Sequence, residues 1–368
     1  MKLFYCGRCG NLLYFENSCC THCGTDLGFD PDAMDLLAVD PQRQGVWVAV
    51  AGAGEYRLCA NYRNQSACNW LVPASDAHDF CVACRLNRTI PDLSVTSHYG
   101  LWNRLEKEKR RLVYSLLRLG LPCAPRHEEQ AGLAFDFLAD QPARFDERSR
   151  VLTGHAQGVI TLNIAEADPV ERERMRDQMA EPYRTVLGHF RHESGHYYWD
   201  LLVRNSAWLV KVRELFGDDT RDYRQALDQH YQQGPPAQWQ NQYISSYASS
   251  HAWEDWAETW AHYLHMVDTL ETAWQFGLRV QAKHDLDISV AADPTFDPYQ
   301  AVCFDDLIKH WLPLTLALNS LNRSMGHDFA YPFVLADRVV EKLRLVHQII
   351  NNGGRGPDSA VGSMESNA

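Results

Sequence analysis

The sequence predicts an α+β chain: a cysteine-rich N-terminal head followed by a mainly helical body that carries a small sheet. Three observations lead there. Nine of the eleven cysteines fall within the first 84 residues, largely as Cys-x-x-Cys pairs. After Pro91 cysteine nearly vanishes, and long stretches repeat apolar residues at i, i+3 and i+4. Short runs at 46–51, 133–138 and 158–164 have the alternating or continuous apolar composition of strands.

With 368 residues the chain is long enough for two or three domains, and 45% hydrophobic content supplies their cores. A net charge of −12 and a pI near 5.7 disfavour general binding to phosphate backbones, so nucleic acid is not an expected partner. The start, Met1-Lys-Leu-Phe-Tyr-Cys6, has no apolar leader, and no window reaches about 18 uninterrupted apolar residues. The expected location is cytoplasmic, with no membrane association. In a reducing compartment, paired cysteines read as metal ligands rather than disulfides.

Residues 1–28 read as a zinc ribbon. Cys6-Gly-Arg-Cys9-Gly10 and Cys20-Thr-His-Cys23-Gly24 are two knuckles, each closed by a glycine that accepts positive φ while backbone N–H groups turn toward the sulfurs. Cys19 is the alternative to Cys20, which is preferred because it repeats the first knuckle. Residues 29–97 read as a second module with short strands, in which Cys59, Cys68, Cys81 and Cys84 bind a second structural zinc. One zinc drawing cysteines from both sets is the alternative. Asp30–Gly45 reads as a linker, with a helical turn around Met34–Ala38. Asn61, Asn69 and Trp70 read as packing rather than a docking surface.

The body is placed at 98–350. Leu101–Leu121 is an amphipathic helix whose run Lys107–Arg111 is expected to be a solvated face. Asp168-Pro169 starts a helix by its cap and its proline. A further helix is expected from Glu181-Pro182 to near Leu202, and another from Ser250 to about Met266, with Trp253, Trp256, Ala257, Trp260, Ala261 and Leu264 as its apolar stripe. Helices follow at 304–324 and 333–350, and the tail, 351–368, is expected to be disordered. Cys123 and Cys303 read as isolated buried thiols. His189, His251 and His262 are left outside the ligand set.

The chemistry centres on His192-Glu193-Ser194-Gly195-His196. Residues four apart on a helix share a face, so His192 and His196 can close on one metal ion. Glu193, rotated by about 100°, reaches a water on that metal as general base. A third ligand is sought downstream, where Glu254 and Glu258 lie one helical turn apart. Two stacked carboxylates beside a tryptophan stripe are costly unless a cation or donor meets them. Glu254 on the metal and Glu258 on the outer N–H of a ligand imidazole satisfy both. A solvated acidic face is the alternative.

These motifs resemble the gluzincin metallopeptidases. Tyr247, seven residues before Glu254, together with Ala257-Glu258, is similar to the zinc peptidase domain of anthrax lethal factor. The whole chain resembles a bacterial family of zinc-binding metallopeptidases with an N-terminal zinc ribbon. The likeness lies in Cys6-x-x-Cys9, Cys68-Asn-Trp-Leu71, Cys81-x-x-Cys84-Arg, Arg88-Thr-Ile-Pro-Asp-Leu93, His192-Glu-Ser-Gly-His196 and Trp253-Glu-Asp-Trp-Ala-Glu258. The resemblance implies His192, His196 and Glu254 as ligands of one catalytic zinc, Glu193 as base, Glu258 behind a ligand and Tyr247 over the oxyanion. It implies a gluzincin-like metallopeptidase fold; the leading expectation is a zinc peptidase acting on a protein or peptide, whose ribbon module positions or recognises a protein partner. A zinc-ribbon adaptor with a catalytically idle domain is the competing expectation.

Overall fold

The computed structural model describes residues 1–52, 54–140, 151–179, 185–283 and 290–353. The chain divides into two compact units, Met1–Gln178 and Met179–Ala368. The cysteine-rich head thus shares its unit with the first long helix and with the parallel strands that follow.

Unit 1 begins with a two-stranded antiparallel ribbon, β1 (Phe4–Tyr5) with β2 (Leu12–Leu13). An antiparallel meander follows, β3 (Asp26–Asp30), β4 (Asp35–Pro41), β5 (Trp47–Ala49), β6 (Glu55–Leu58) and, after the short helix α1 (Ala60–Gln65), β7 (Leu71–Pro73). The stretch read as a linker with a helical turn is therefore mostly a strand, Asp35–Pro41, between a tight turn and a 3-10 turn at Arg43–Gly45. Leu36, Ala38 and Val39 are buried, and β4 pairs with β3 on one side and β5 on the other. Proline and acidic content signal a break locally, but antiparallel pairing with the strands just before and after it satisfies this backbone.

Then come β8 (Asn87–Thr89), α2 (Thr96–Arg118), β9 (Ala134–Leu138), β10 (Gly154–Ala156), β11 (Val159–Asn163) and α3 (Pro169–Met179). Their sheet runs β10-β11-β9-β8, with β8, β9 and β11 parallel and β10 antiparallel at the edge. An aromatic cluster ties α2 to the head: Phe29 lies 4.7 Å from Trp70 and 5.0 Å from Phe15, which lies 5.5 Å from Tyr114 of α2. Asn69 donates to the carbonyls of Phe15 and Asn17, so Asn69 and Trp70 are packing residues, and Asn61 is buried as well.

The Lys107–Arg111 run is not a solvated face. Lys107 is exposed, whereas Lys109, Arg110 and their partner Glu106 are buried. Lys109 Nζ lies 2.9 Å from Glu106 Oε2, Asn87 donates to Glu106 Oε1 at 2.7 Å, and Arg110 donates to the Ala67 carbonyl at 2.5 Å. Each of these buried charges has a partner supplied from outside the helical repeat or across one turn, which local helical periodicity does not encode.

Unit 2 is a helical assembly of α4 (Val186–Tyr198), α5 (Trp208–Phe216), α6 (Tyr223–Gln233), α7 (Ala252–Gln275), α8 (Phe304–Ser324) and α9 (Asp337–Asn351), with a two-stranded pair β12 (Val280–Gln281) and β13 (Ala291–Ala292) between α7 and α8. The expected start at Glu181-Pro182 lies outside the described residues, as does most of the expected disordered tail. α4 starts at the Thr185 cap, whose side chain accepts from Gly188 N at 2.9 Å, and runs on into a π-turn at Trp199–Val203. α7 is its centre: Trp256, Ala257, Trp260, Ala261 and Leu264 are buried as the stripe predicts, while Val339, Leu343, Val346 and Ile350 of α9 supply a matching buried face. A buried ion pair, Lys342 to Asp255 at 2.6 Å, fastens α9 to α7. Cys303, expected to be buried, is exposed at the N-terminus of α8. No helix among the described residues is long and apolar enough to cross a membrane.

Candidate metal centres

Three clusters of potential ligands assemble among the described residues: Cys6, Cys9, Cys20, Cys23; Cys59, Cys68, Cys81, Cys84; and His192, His196, Glu254. In each, one donor atom per residue lies within 4.8 Å of all the others. The cysteines do not mix between sets.

In the first cluster Gly10 and Gly24 take φ of 74° and 73°, and each amide donates to the carbonyl of the first cysteine of its knuckle. The two turns are conformational copies, which is why Cys20 and not Cys19 enters the cluster; Cys19 instead bridges to Asp26. Sulfur separations are 3.7 Å for Cys6–Cys23 and 3.6 Å for Cys9–Cys20. In the second cluster Cys68–Cys81 is 3.8 Å. A tetrahedron with Zn–S bonds of about 2.3 Å has edges of about 3.8 Å, so both clusters fit zinc. Backbone N–H groups of Trp70 and Cys81 point at the sulfurs of Cys68 and Cys59, at 3.3 and 3.4 Å. All four cysteines of this second cluster are buried, and burial pushes the Cys81 thiol well above its ordinary pKa. Such thiols ionise only beside positive charge. Arg110 supplies one: burial opposes its charge, but Cys68, Glu106, Cys84 and Cys81 more than offset that.

The third cluster is built by the crossing of α4 and α7. Gly195 allows the approach, since a Cβ there would sit 2.9 Å from Ala257 Cα and 3.2 Å from the Trp260 side chain. Trp256 Nε1 donates to the Gly195 carbonyl at 2.9 Å and Trp260 Nε1 to Ser194 Oγ at 3.1 Å. The two residues between Glu193 and His196 therefore serve the helix crossing. At that crossing His192 Nε2 lies 3.0 Å from Glu254 Oε2 and 3.2 Å from His196 Nε2, and His196 Nε2 lies 3.6 Å from the same oxygen. Tetrahedral zinc with bonds of about 2.0–2.1 Å has edges of about 3.3 Å, so the three donors fit one ion.

The donor chemistry agrees. Glu258 Oε1 lies 2.7 Å from His192 Nδ1, and Ser245 Oγ donates to Glu258 Oε2 at 2.7 Å. With Nδ1–H given to Glu258, neutral His192 presents a lone pair at Nε2, facing Glu254 Oε2, a buried oxygen with no hydrogen-bond donor among the described residues. Two acceptors at that distance repel unless a proton or a metal lies between them. Without metal the proton wins: burial works against charging His192, yet Glu254 and Glu258 hold its pKa well above the usual imidazole value. Burial likewise works against ionised Glu254, and His196 and His192 nevertheless hold it well below the carboxylate range.

Glu193 is half-buried, and its Oε2 has no hydrogen-bond partner among the described residues. Tyr247 has its ring centre 6.0 Å from that of His192. Burial first, then the charges of Glu254 and other neighbours including Glu193, keep its phenol protonated far above pH 10. His251 is instead the cap of α7, accepting from Trp253 N at 3.1 Å, and His262 is buried against the Tyr331 hydroxyl at 2.8 Å. Sequence reasoning missed Ser245, the ring of Trp253 packed 3.8 Å from that of His196 at a tilt of 41°, and Tyr223, which donates to Glu254 Oε1 at 2.6 Å. No spacing or composition signal marks Tyr223; only the fold brings α6 to this carboxylate.

Two four-cysteine clusters and a His-His-Glu cluster mark a chain built to bind metal, and comparison with known proteins agrees. Residues 98–349 match the family model described as "Putative zinc-binding metallo-peptidase", and the chain belongs to that family. Residues 3–95 match a zinc-ribbon domain. Proteins of Mycobacterium bovis and Mycobacterium tuberculosis, both named only as uncharacterized proteins, are each 44% identical over 355 residues, covering 95% of this chain and 96% of the relative. No solved structure matches.

Proposed function

We propose that this chain is a zinc-dependent peptidase of the gluzincin type, with one catalytic and two structural zinc ions. The observation that carries the reading is the meeting of three lone-pair donors at 3.0–3.6 Å, beside a carboxylate oxygen, Glu193 Oε2, that has no partner of its own among the described residues. Bound zinc supplies Lewis acidity toward water and toward an amide carbonyl. His192, His196 and Glu254 would hold it. Glu258, steadied by Ser245, fixes the tautomer that turns His192 Nε2 inward. Glu193 accepts the proton of the attacking water and returns it to the leaving amine. Tyr247, protonated at any working pH, donates a hydrogen bond to the developing oxyanion. Cys6, Cys9, Cys20, Cys23 and Cys59, Cys68, Cys81, Cys84 hold the structural ions. The substrate is a protein or peptide, and the protein works in the cytoplasm, away from membrane and nucleic acid. The ribbon, where Tyr5 and Tyr14 stand exposed, is the element offered to a protein partner.

The test compares the wild type with Glu193→Gln by profiling new termini in a lysate and by counting zinc. We expect three zinc ions per chain in both, with turnover lower in the variant by about 10²–10⁴-fold. Equal cleavage by the two would remove Glu193 from its role. Three zinc ions with no cleavage by either would favour the adaptor reading.

A further inference from the structure

We propose that Tyr223 is a positioning residue that makes Glu254 a one-oxygen ligand, an inference that rests on the zinc reading above. Glu254 is 1% exposed, and its two oxygens have different neighbours. Oε2 faces the two imidazole nitrogens, while Oε1 accepts the Tyr223 hydroxyl at 2.6 Å. That is the length of a charge-assisted O–H···O⁻ bond, the stronger kind. A divalent cation next to a carboxylate with both oxygens available can take both. Here the phenol competes for one, and the coordination position that Oε1 would fill stays open for water.

The phenol is itself fixed. Tyr223 is the first residue of α6, whose Asp222 cap accepts from Gln225 N at 2.7 Å. Its ring lies edge-on between those of His251, at 5.4 Å and 82°, and Trp253, at 5.5 Å and 78°. His251 Nε2 meets the Arg221 carbonyl at 3.2 Å, which joins the start of α6 to the start of α7. Trp253 in turn packs on His196. The residue that restrains Glu254 is therefore held by the same aromatic wall that orients a ligand histidine.

The test is Tyr223→Phe in the full chain, loaded with Co²⁺ and, separately, with zinc. The third-site cobalt spectrum is taken as the difference from His196→Ala, so that the cysteine sites cancel. In the wild type this difference is the intense visible band of a four-coordinate ion. In Tyr223→Phe it weakens by at least about twofold as Glu254 brings its second oxygen to the metal. Zinc affinity at that site falls by about 10-fold, with an unchanged melting temperature in the metal-free protein. An unaltered cobalt band and unaltered zinc affinity would overturn the positioning role. A wild-type difference spectrum of zero would overturn the zinc reading itself, and Tyr223's role with it.

Discussion

The two units hold metal-ligating residues by opposite means. In unit 1 the second cysteine cluster brings four buried thiols together from loops around very short elements, and the close approach of their sulfurs has no counterpart in packing alone. In unit 2 the His192, His196 and Glu254 cluster sits on two packed helices, α4 and α7, whose crossing is set by Gly195 and the indoles of Trp256 and Trp260. Thiols gathered from loops gain stability from an ion they can share, whereas the second cluster is organised in advance by helix packing. On the proposed reading charge would follow the same division: four thiolates around one zinc would form a dianion that Arg110 meets from α2, whereas two neutral imidazoles and one carboxylate would leave the ion net positive.

The largest effect expected from this contrast is that of Cys68→Ser. Structural zinc contributes on the order of 10 kcal/mol to small zinc modules, so the variant should lose one zinc and the thermal transition of unit 1 while unit 2 keeps its ion. Retention of the unit 1 transition, seen by calorimetry of the metal-counted protein, would break the contrast.

The next effect is on the acid stability of unit 2. Burial lowers the pKa of His262 from 6.5 to about 4, so the unfolded chain takes up this proton at higher pH than the folded one. Its contribution to stability is complete above about pH 6.5 and is lost as pH falls toward 4, by about 3 kcal/mol in all. Melting temperatures of wild type and His262→Gln at pH 7.5 and 5 should show a steeper acid loss in the wild type.

The smallest is Gly195→Ala. Overpacking at the crossing should cost about 1–3 kcal/mol in unit 2 and weaken zinc at the third site, leaving both cysteine sites untouched. Unchanged third-site affinity would mean that the helix crossing is not what sets this geometry.

Much of this protein was legible because its chemistry is written in short spacings. A knuckle is a local turn closed by Gly10 or Gly24, and His192 and His196 share a helix face whatever else the chain does. The carboxylate pair on α7 was readable for the same reason, from its four-residue interval. Most of what stayed hidden depends on distant partners. Lys109 and Arg110 look solvated until Asn87, Glu106 and Ala67 enclose them, whereas the stretch 30–45 is hidden for a nearer reason: its proline and acids mask the short hairpins that pair β4 with β3 and β5. Ser245 and Tyr223 belong to the third site only because loops and α6 return to α7. Sequence alone determined which residue types would meet metal and in what local array. Tertiary structure decided the rest: which groups enclose Lys109 and Arg110, and which hydroxyls bind the two carboxylates. Those choices turn on non-local packing and hydrogen bonds, which a one-dimensional spacing does not carry.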